Sequence, residues 1–329
     1  MTSTTLLEVR NLFVEFHTRD GIARVINGVS FALNAGETLA ILGESGSGKS
    51  VTAQAIMGIL DMPPAVIPAG AILYEGRDLL TLPEAERREV RGRGIAMVFQ
   101  DALSALNPVF PVGWQISEAL RQRSGLTKTA AIARALALMD QVKIPAAKAR
   151  LNDYPHQFSG GMRQRVMIAM ALALDPRVLI ADEPTTALDV TVQAQIMDLI
   201  AELSRERQMA MILITHDLGV VAGIADRIAV MYAGRIVEHA DVHALYARPA
   251  HPYTQGLLDS IPRLDQRGKE LRTIPGLPPN LTRIPSGCPF HPRCQRVATI
   301  CRTVLPPDAD LGAGRISACH FAQELLHGA

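Results

Sequence analysis

Lysine, aromatic residues and, for most of its length, cysteine are scarce in this chain of 329 residues. Only five of the 33 basic residues are Lys, aromatic residues make up 4% of the chain, and no Cys occurs before residue 288. The net charge is +1 without a basic arm or stripe, which disfavours a nucleic-acid partner bound by bulk electrostatics. The N-terminus lacks the charged segment, apolar core and small-residue cleavage site of a signal peptide.

Long hydrophobic runs are also missing. The longest ones, such as residues 166–174 (VMIAMALAL), have about half of the ~20 residues that a transmembrane helix needs. We therefore expect any membrane association to be peripheral. The hydrophobic content of 48% is nevertheless enough for a large core, so the composition excludes a disordered chain and predicts one sizeable domain with a smaller appendage.

Short apolar runs alternate with segments of helical period. Solidly apolar runs are typical of strands buried on both faces, so the pattern predicts an α/β domain with a largely parallel core. A helical subdomain is expected at about 101–160. Frequent prolines after residue 248 predict a domain at 1–248 and a loop-rich extension at 249–329. The strand candidates are 6–16, 29–33, 38–42, 95–99, 178–181, 211–215 and 227–234.

Residues 43–50 (GESGSGKS) match the phosphate-binding loop G-x-x-x-x-G-K-[ST]. The glycines let backbone N–H groups turn inward, and the helix that follows favours negative charge at its N-terminus. We expect Lys49 to reach the outer phosphates of a nucleoside triphosphate and Ser50 to ligate the accompanying Mg²⁺. The residues predicted to bind nucleotide here are Gly43, Glu44, Ser45, Gly46, Ser47, Gly48, Lys49, Ser50 and Val51.

Residues 178–184 (VLIADEP) read as an apolar strand that ends in two adjacent carboxylates. Such a pair is weak evidence by itself, because acidic residues at strand ends are common and usually solvated. The upstream phosphate loop supplies the metal and the substrate that the pair needs. Asp182 is therefore predicted to hold Mg²⁺, directly or through water, and Glu183 to orient or deprotonate the attacking water.

A third motif, FSGGMRQRV at 158–166, places Ser-Gly-Gly at the start of a predicted helix. The Ser159 hydroxyl and the neighbouring N–H groups could bind a phosphate. Ser159 could also simply cap the helix, and both interpretations can hold together. A second phosphate site on one chain is redundant unless two chains meet.

Taken in order over residues 6 to about 245, these motifs closely resemble those of the nucleotide-binding subunits of ABC transporters. The resemblance implies an ATP-hydrolysing P-loop fold and a head-to-tail dimer. In that dimer, ATP on one phosphate loop is completed by Ser159, Gly160 and Gly161 of the other subunit. The resemblance also implies roles for Gln100 (metal and lytic water), His216 (γ-phosphate), Phe16 (adenine), Gln164 of the signature motif and Asp189 of the 187–189 loop.

Two points of this resemblance stay open. The segment from Val14 to Asn27 reads as a long loop, and Phe16 could simply be a core residue. Phe158 and Ala102 stand where Leu and Pro are common in the family, although neither touches a predicted catalytic group.

The extension narrows the subfamily. Residues 251–262, 274–281 and 287–294 resemble the C-terminal region of dipeptide and oligopeptide importer ATPases, and the dipeptide-permease type fits best. This implies a peripheral subunit on the cytoplasmic side of a bacterial inner membrane. Its expected partners are two transmembrane permease subunits, a second ATPase in a heterodimer, and a periplasmic or lipoprotein peptide-binding protein.

Other solutes and other classes stay open as alternatives. Relatives in the importer family carry nickel, opines or glutathione. Soluble ABC ATPases of DNA repair or translation share the same motifs, but the chain lacks their long heptad insertion, second nucleotide domain and basic surface run.

All four cysteines lie in the extension, at Cys288, Cys294, Cys301 and Cys319. Because a cytoplasmic setting disfavours disulfides, this concentration predicts a metal centre. The ligand count suits zinc or an iron–sulfur cluster equally, and the spacing lacks the tight pairs of zinc ribbons. The resemblance favours a 4Fe-4S cluster, and unliganded thiols remain the alternative.

Overall fold

The computed structural model describes residues 5–186, 188–260 and 273–327 and divides the chain into two compact units. In the first unit the described residues are 34–37 and 81–213 except 187. The second unit combines 5–33 and 38–80 with everything described from 214 onward. The described part of the extension thus shares a unit with the phosphate loop, and the domain boundary at 248/249 stays a prediction.

The described strands and helices are numbered in chain order, with the following bounds. The strands are β1 Thr5–Thr18, β2 Gly21–Asn34, β3 Thr38–Leu42, β4 Ala65–Val66, β5 Ala71–Tyr74, β6 Arg77–Asp78, β7 Ile95–Val98, β8 Val178–Asp182, β9 Ala210–Ile214, β10 Arg227–Tyr232, β11 Arg235–Asp241, β12 Ala309–Asp310 and β13 Ile316–Ser317. The helices are α1 Lys49–Met57, α2 Glu84–Arg93, α3 Ala102–Ala105, α4 Val112–Ser124, α5 Lys128–Gln141, α6 Ala147–Arg150, α7 Gly160–Ala171, α8 Val190–Glu206, α9 Leu218–Ile224, α10 Val242–Ala247, α11 Pro252–Asp259, α12 Thr299–Thr303 and α13 Ala322–His327. None of these helices is long and apolar enough to cross a membrane.

The first unit holds three neighbouring strands and seven of the thirteen helices named above. Strands β9, β8 and β7 lie in that order, and β7 pairs with β8 in parallel. All residues of β7, β8 and β9 are buried, as the solid apolar runs predicted for strands covered on both faces. Helices α4, α5 and α7 pack on one another, and the helices between Ala102 and Gln157 occupy the range predicted to be helical.

The second unit contains an antiparallel sheet in the order β2-β1-β5-β6, with β4 paired to β1. Strands β1 and β2 are 14 residues each and are joined at Arg19 and Asp20, so the long loop predicted from Val14 to Asn27 is wrong. No residue of this hairpin between Glu15 and Val25 is buried, so this part lacks the solid apolar run by which the central strands were recognised.

A further sheet of the second unit joins the phosphate-loop strand to the extension. Its strands lie in the order β12-β13-β11-β10-β3, with β10 and β3 parallel. Strand β13 of the extension pairs with β11, opposite Glu238 and His239. The extension therefore continues the sheet that begins at the phosphate loop.

Buried polar groups tie the extension to this sheet. Glu238 is fully buried, and its Oε1 accepts hydrogen bonds from the Ala250 N–H and the Arg315 guanidinium, each at 2.8 Å. Burial raises the pKa of Glu238. His251 is also buried, and its Nδ1 accepts from the Tyr253 N–H at 3.0 Å. Burial lowers the pKa of His251 to about 3, so this ring is neutral at physiological pH.

Candidate functional site

The phosphate loop lies between β3 and α1, as its sequence predicts, and two of its glycines cannot be replaced. Gly43 has φ 153° and Gly48 has φ 107°, a region that side chains rarely adopt. A Cβ on Gly43 would lie 2.3 Å from the carbonyl oxygen of Met231, and one on Gly48 would lie 2.8 Å from that of Val25. Glycine here lets the loop pack directly against two other backbone segments.

Lys49 and Ser47 put polar groups inside this loop. Lys49 is 5% exposed, and its Nζ donates to the carbonyl oxygens of Gly43 at 2.8 Å and Glu44 at 3.1 Å. The Ser47 hydroxyl is buried and has no hydrogen-bond partner among the described residues. A buried hydroxyl without a partner is costly, and a phosphate oxygen would satisfy it.

Glu44 of the loop is held by the extension. Its carboxylate accepts two hydrogen bonds from the Arg293 guanidinium, and its N–H donates to the Tyr253 hydroxyl at 2.9 Å. Sequence analysis missed Arg293 and Tyr253, because no local pattern links them to a loop more than 200 positions away. The Glu44 backbone was predicted to bind nucleotide, but its N–H is already bonded to the protein.

In the first unit the structure brings together two residues that the sequence assigned to hydrolysis. The Gln100 Nε2 donates to the Glu183 Oε2 at 3.3 Å. The Thr186 hydroxyl donates to the same oxygen at 3.0 Å, a contact that sequence analysis missed. Asp182 is the last residue of β8, directly before Glu183, and is 4% exposed. Glu183 has φ 44°, an uncommon value for a residue other than glycine.

The signature motif lies at the start of α7, in the first unit. Ser159 is exposed and caps the helix, because its hydroxyl accepts from the Met162 N–H at 3.4 Å. A Cβ on Gly161 would lie 2.6 Å from Val192, so this position is closely packed. Gln164 is 3% exposed, and its Nε2 has no hydrogen-bond partner among the described residues. Ser159 and Gly160 are both exposed, and their predicted role at a phosphate held by another chain stays a prediction.

The remaining predicted site residues lie on or next to strands and helices described above. Asp189 caps α8 by accepting from the Val192 N–H at 3.0 Å, and Ala187 of the same motif lies outside the described residues. His216 is exposed just after β9. Phe16 is half-buried on β1, opposite Ala65 of β4.

The chemistry of these residues fits a nucleoside triphosphate and Mg²⁺. The loop offers the ammonium of Lys49 and the buried Ser47 hydroxyl without a partner among the described residues, and both can donate to a polyphosphate. Ser50 in the second unit and Asp182 in the first are hard oxygen ligands of the type that Mg²⁺ prefers.

The four cysteines of the extension line one common cavity. Burial raises the pKa of Cys288, Cys294 and Cys319, the last to about 11, and the neighbouring thiols raise them further. These thiols are therefore protonated near neutral pH. The Cys288 N–H donates to the Cys301 carbonyl oxygen at 2.8 Å, which ties two of the four together.

The metal centre predicted from these cysteines has no preformed ligand group. Within residues 5–186, 188–260 and 273–327, no three His, Cys, Asp or Glu side chains form a group that could hold a metal ion. A single zinc ion binds sulfur at about 2.3 Å and needs its four ligands in close contact, so this arrangement does not fit zinc as it stands. Convergence of the thiols is observed, and the identity of a bound centre stays a prediction.

Comparison with known proteins identifies the family. The profile described as "ABC transporter" matches residues 26–186, and the one described as "Oligopeptide/dipeptide transporter, C-terminal region" matches residues 237–301. The oligopeptide transport ATP-binding protein OppD of Haemophilus influenzae is 52% identical over 97% of this chain and 98% of its own length. This chain belongs to the ABC transporter ATP-binding family. The resemblance inferred from the motifs is thereby confirmed.

Other proteins of the family are also similar to this chain in sequence and in fold. The dipeptide transport ATP-binding protein DppD of Bacillus subtilis is also 52% identical, over 92% of this chain and 90% of its own length. Among solved structures, the dimeric ATP-binding cassette MJ0796 in a post-hydrolysis state bound to ADP and Pi is 26% identical, with a TM-score of 0.65. The match covers 72% of this chain and 99% of that one. The ABC-type P-loop fold is confirmed, whereas no comparison supports a metal site in the extension.

Proposed function

We propose that this chain is the ATP-hydrolysing subunit of a membrane transporter that imports dipeptides or oligopeptides. The observation that carries the proposal is the match of one chain to both the ABC transporter profile and the C-terminal region of peptide transporters. The relatives named for oligopeptide and dipeptide transport cover nearly its whole length. The geometry of the phosphate loop, which presents donors and excludes side chains, is consistent with this role.

In the proposed hydrolysis, different residues hold the phosphates, bind the metal ion and position the attacking water. Lys49 and the loop N–H groups hold the phosphates, Ser50 and Asp182 would ligate Mg²⁺, and Gln100 would contribute to binding the metal ion and the attacking water. When bound, the metal ion offsets charge on the phosphate oxygens. Glu183 accepts a proton from, or orients, the attacking water, and Gln100 and Thr186 hold its carboxylate in place. His216 contacts the γ-phosphate, and Phe16 stacks on adenine.

The proposed partners follow from transport across a membrane. We expect two hydrophobic permease subunits, a second ATPase subunit similar to this one, and a peptide-binding protein, with this chain at the cytoplasmic side of a bacterial inner membrane. A tagged chain purified from a detergent extract of membranes tests this assembly by mass spectrometry of the intact complex. Permeases that copurify support transport, whereas ribosomes or nucleic acid in their place would contradict it.

The ATP site is proposed to be shared between two chains. Ser159 is exposed at a helix N-terminus, and the neighbouring N–H groups suit a phosphate held by another subunit. The related cassette of known structure is dimeric and binds ADP and Pi. ATP would therefore close the interface, and hydrolysis would open it.

Replacing Ser159 with Arg should leave ATP binding by the single chain intact but prevent the ATP-dependent closed dimer, because a bulky cation would occupy the place of the phosphate. Thr127→Arg is the matched control, since Thr127 is an exposed cap of α5 and its hydroxyl accepts from the Ala130 N–H. Both variants lose a cap worth about 0.5–2 kcal/mol. Crosslinking of ATP-loaded protein should give closed dimers for the control alone. Normal closure of Ser159→Arg would contradict the shared site.

We further propose that the cysteine cavity binds one 4Fe-4S cluster with a structural role. All four thiols line this cavity, and a cluster spreads its cysteine ligands farther apart than a single ion does, which suits thiols that do not form an ion-binding group. The surrounding segment has short elements and few buried apolar residues of its own, so a bound cluster would add stability.

Protein purified without oxygen should be brown and contain about four irons with matching sulfide per chain. Replacing Cys301 with Ser should remove the iron and make the extension sensitive to protease, because that thiol is buried in the cavity. Leu277→Ser, at a position 87% exposed in the same extension, is the control and should keep its iron. Colourless protein with stoichiometric zinc would overturn the cluster, and four freely alkylated thiols without metal would leave only the unliganded interpretation.

A further inference from the structure

Arg293 of the extension makes a two-point contact with the phosphate loop. It ends a short 3-10 turn, His291–Arg293, directly before Cys294. One guanidinium nitrogen, NH1, donates to the Glu44 Oε2 at 2.6 Å, and the other, NH2, donates to Oε1 at 2.9 Å. This parallel pair is the strong geometry for arginine and a carboxylate, and it fixes the direction of both side chains.

The surroundings of Arg293 make this contact rigid. The side chain is only 5% exposed, and its Nε donates to the Pro275 carbonyl oxygen at 2.9 Å. The guanidinium also lies 5.8 Å from the ring centre of Tyr232. An exposed ion pair contributes little, but here solvent is excluded from the cation and three of its nitrogens have fixed partners.

A second contact holds the backbone of the same loop residue. The Glu44 N–H donates to the hydroxyl of Tyr253, whose ring is fully buried and packs against Tyr232 at a centroid distance of 4.6 Å. Phe290 of the cysteine segment lies against both rings, at 5.2 and 5.4 Å. Side chain and backbone of Glu44 are therefore both fixed by residues outside the loop.

The reason for such a contact is electrostatic. The loop must accept a polyphosphate with several negative charges, yet its second residue is an acid. A free carboxylate at this position would repel the phosphates and could also attract Lys49. Arg293 neutralises the Glu44 carboxylate and holds it along the side of the loop that packs on the extension.

We propose that Arg293 is a positioning residue for ATP: by pairing with Glu44 it neutralises this acid and fixes the start of the phosphate loop, so that the extension completes the nucleotide site. The inference rests on the proposed role of residues 43–50 as the ATP site. It assigns to the extension a role in nucleotide binding that is separate from whatever its cysteines bind.

The test measures ATP affinity and ATPase kinetics of the full-length chain, with its partners present for turnover, in a cycle of variants. Arg293→Gln should raise both the Kd and the KM for ATP, on the order of tenfold for one uncompensated charge near the phosphates, while kcat at saturating ATP changes little. Arg283→Gln, at an exposed arginine of the same extension, is the matched control and should bind ATP normally.

The double variant separates positioning from a merely structural role. If Arg293 acts by neutralising Glu44, then adding Glu44→Gln should restore affinity to that of Glu44→Gln alone, because no charge remains to be neutralised. Should Arg293→Gln fail to fold, Arg293→Lys serves in the same cycle. It keeps the charge but loses the paired geometry, so its smaller loss of affinity should also be rescued by Glu44→Gln.

The outcomes are distinguishable. A normal Kd in Arg293→Gln, or a loss of affinity that Glu44→Gln does not rescue, would overturn the inference while leaving the ATP site itself unaffected. Lys49→Ala serves as the benchmark in the same assay. If Lys49→Ala also binds ATP normally, the proposed site at residues 43–50 is wrong, and the proposed role of Arg293 is then wrong as well.

Discussion

Replacing Glu183 with Gln should lower ATP turnover by ~10²- to 10⁴-fold while ATP still binds. The amide of Gln has nearly the same shape and can still accept the hydrogen bond of the Thr186 hydroxyl, so the local structure should persist. What it cannot do is take a proton from water. The measurement is the steady-state release of phosphate by the assembled transporter, together with equilibrium binding of ATP.

The control for this variant is Glu206→Gln, which makes the same chemical change at an exposed position of α8. It should hydrolyse ATP at the normal rate. A Glu183→Gln transporter that hydrolyses ATP at a near-normal rate would remove Glu183 from the proposed mechanism. Gln100 or His216 would then have to position the attacking water.

Lys49→Ala should weaken ATP binding about 10- to 100-fold and reduce turnover as well, because a hydrogen bond to a charged group contributes about 1.5–3 kcal/mol. Lys49 is almost completely buried, and its ammonium lies inside the loop, where it donates to the carbonyl oxygens of Gly43 and Glu44. The exposed Lys148 provides the control, and Lys148→Ala should behave as wild type. Titration calorimetry with ATP measures the difference.

The two variants should lose different functions, and this difference separates a role in the chemical step from a role in ATP binding. Glu183→Gln affects the chemical step with ATP in place, whereas Lys49→Ala affects the ground-state complex as well. Equal ATP affinity in Lys49→Ala and wild type would contradict the assignment of the loop.

The central strands and the phosphate loop could be predicted from sequence because their signals are local. The run 38–42 is apolar and fully buried in β3, and the glycines of the loop occupy conformations that only glycine adopts readily. The family resemblance implied a role in hydrolysis for Gln100, but the contact of Gln100 with Glu183 was not predicted. It joins residues 83 positions apart, and nothing near either residue signals the other.

Residues outside the motifs were missed for a physical reason. Arg293 and Glu44 are 249 positions apart, and Arg293 is one of many arginines in the chain. The part of the β1–β2 hairpin between Val14 and Asn27 was mistaken for a loop, because its residues from Glu15 to Val25 are not buried and form no apolar run. The metal centre predicted from the four cysteines is not supported by a ligand group among the described residues, because spacing along the chain cannot show how thiols are arranged in space.

The left-handed backbone of Glu183 sets a trade-off between stability and activity at this position. Conformations of this kind cost on the order of 1 kcal/mol or more in residues other than glycine, and Gly or Asn would adopt φ 44° with less strain. Neither of them can accept a proton from water at neutral pH. A selection for stability alone would therefore favour their substitution here, and only a selection for turnover would keep the glutamate.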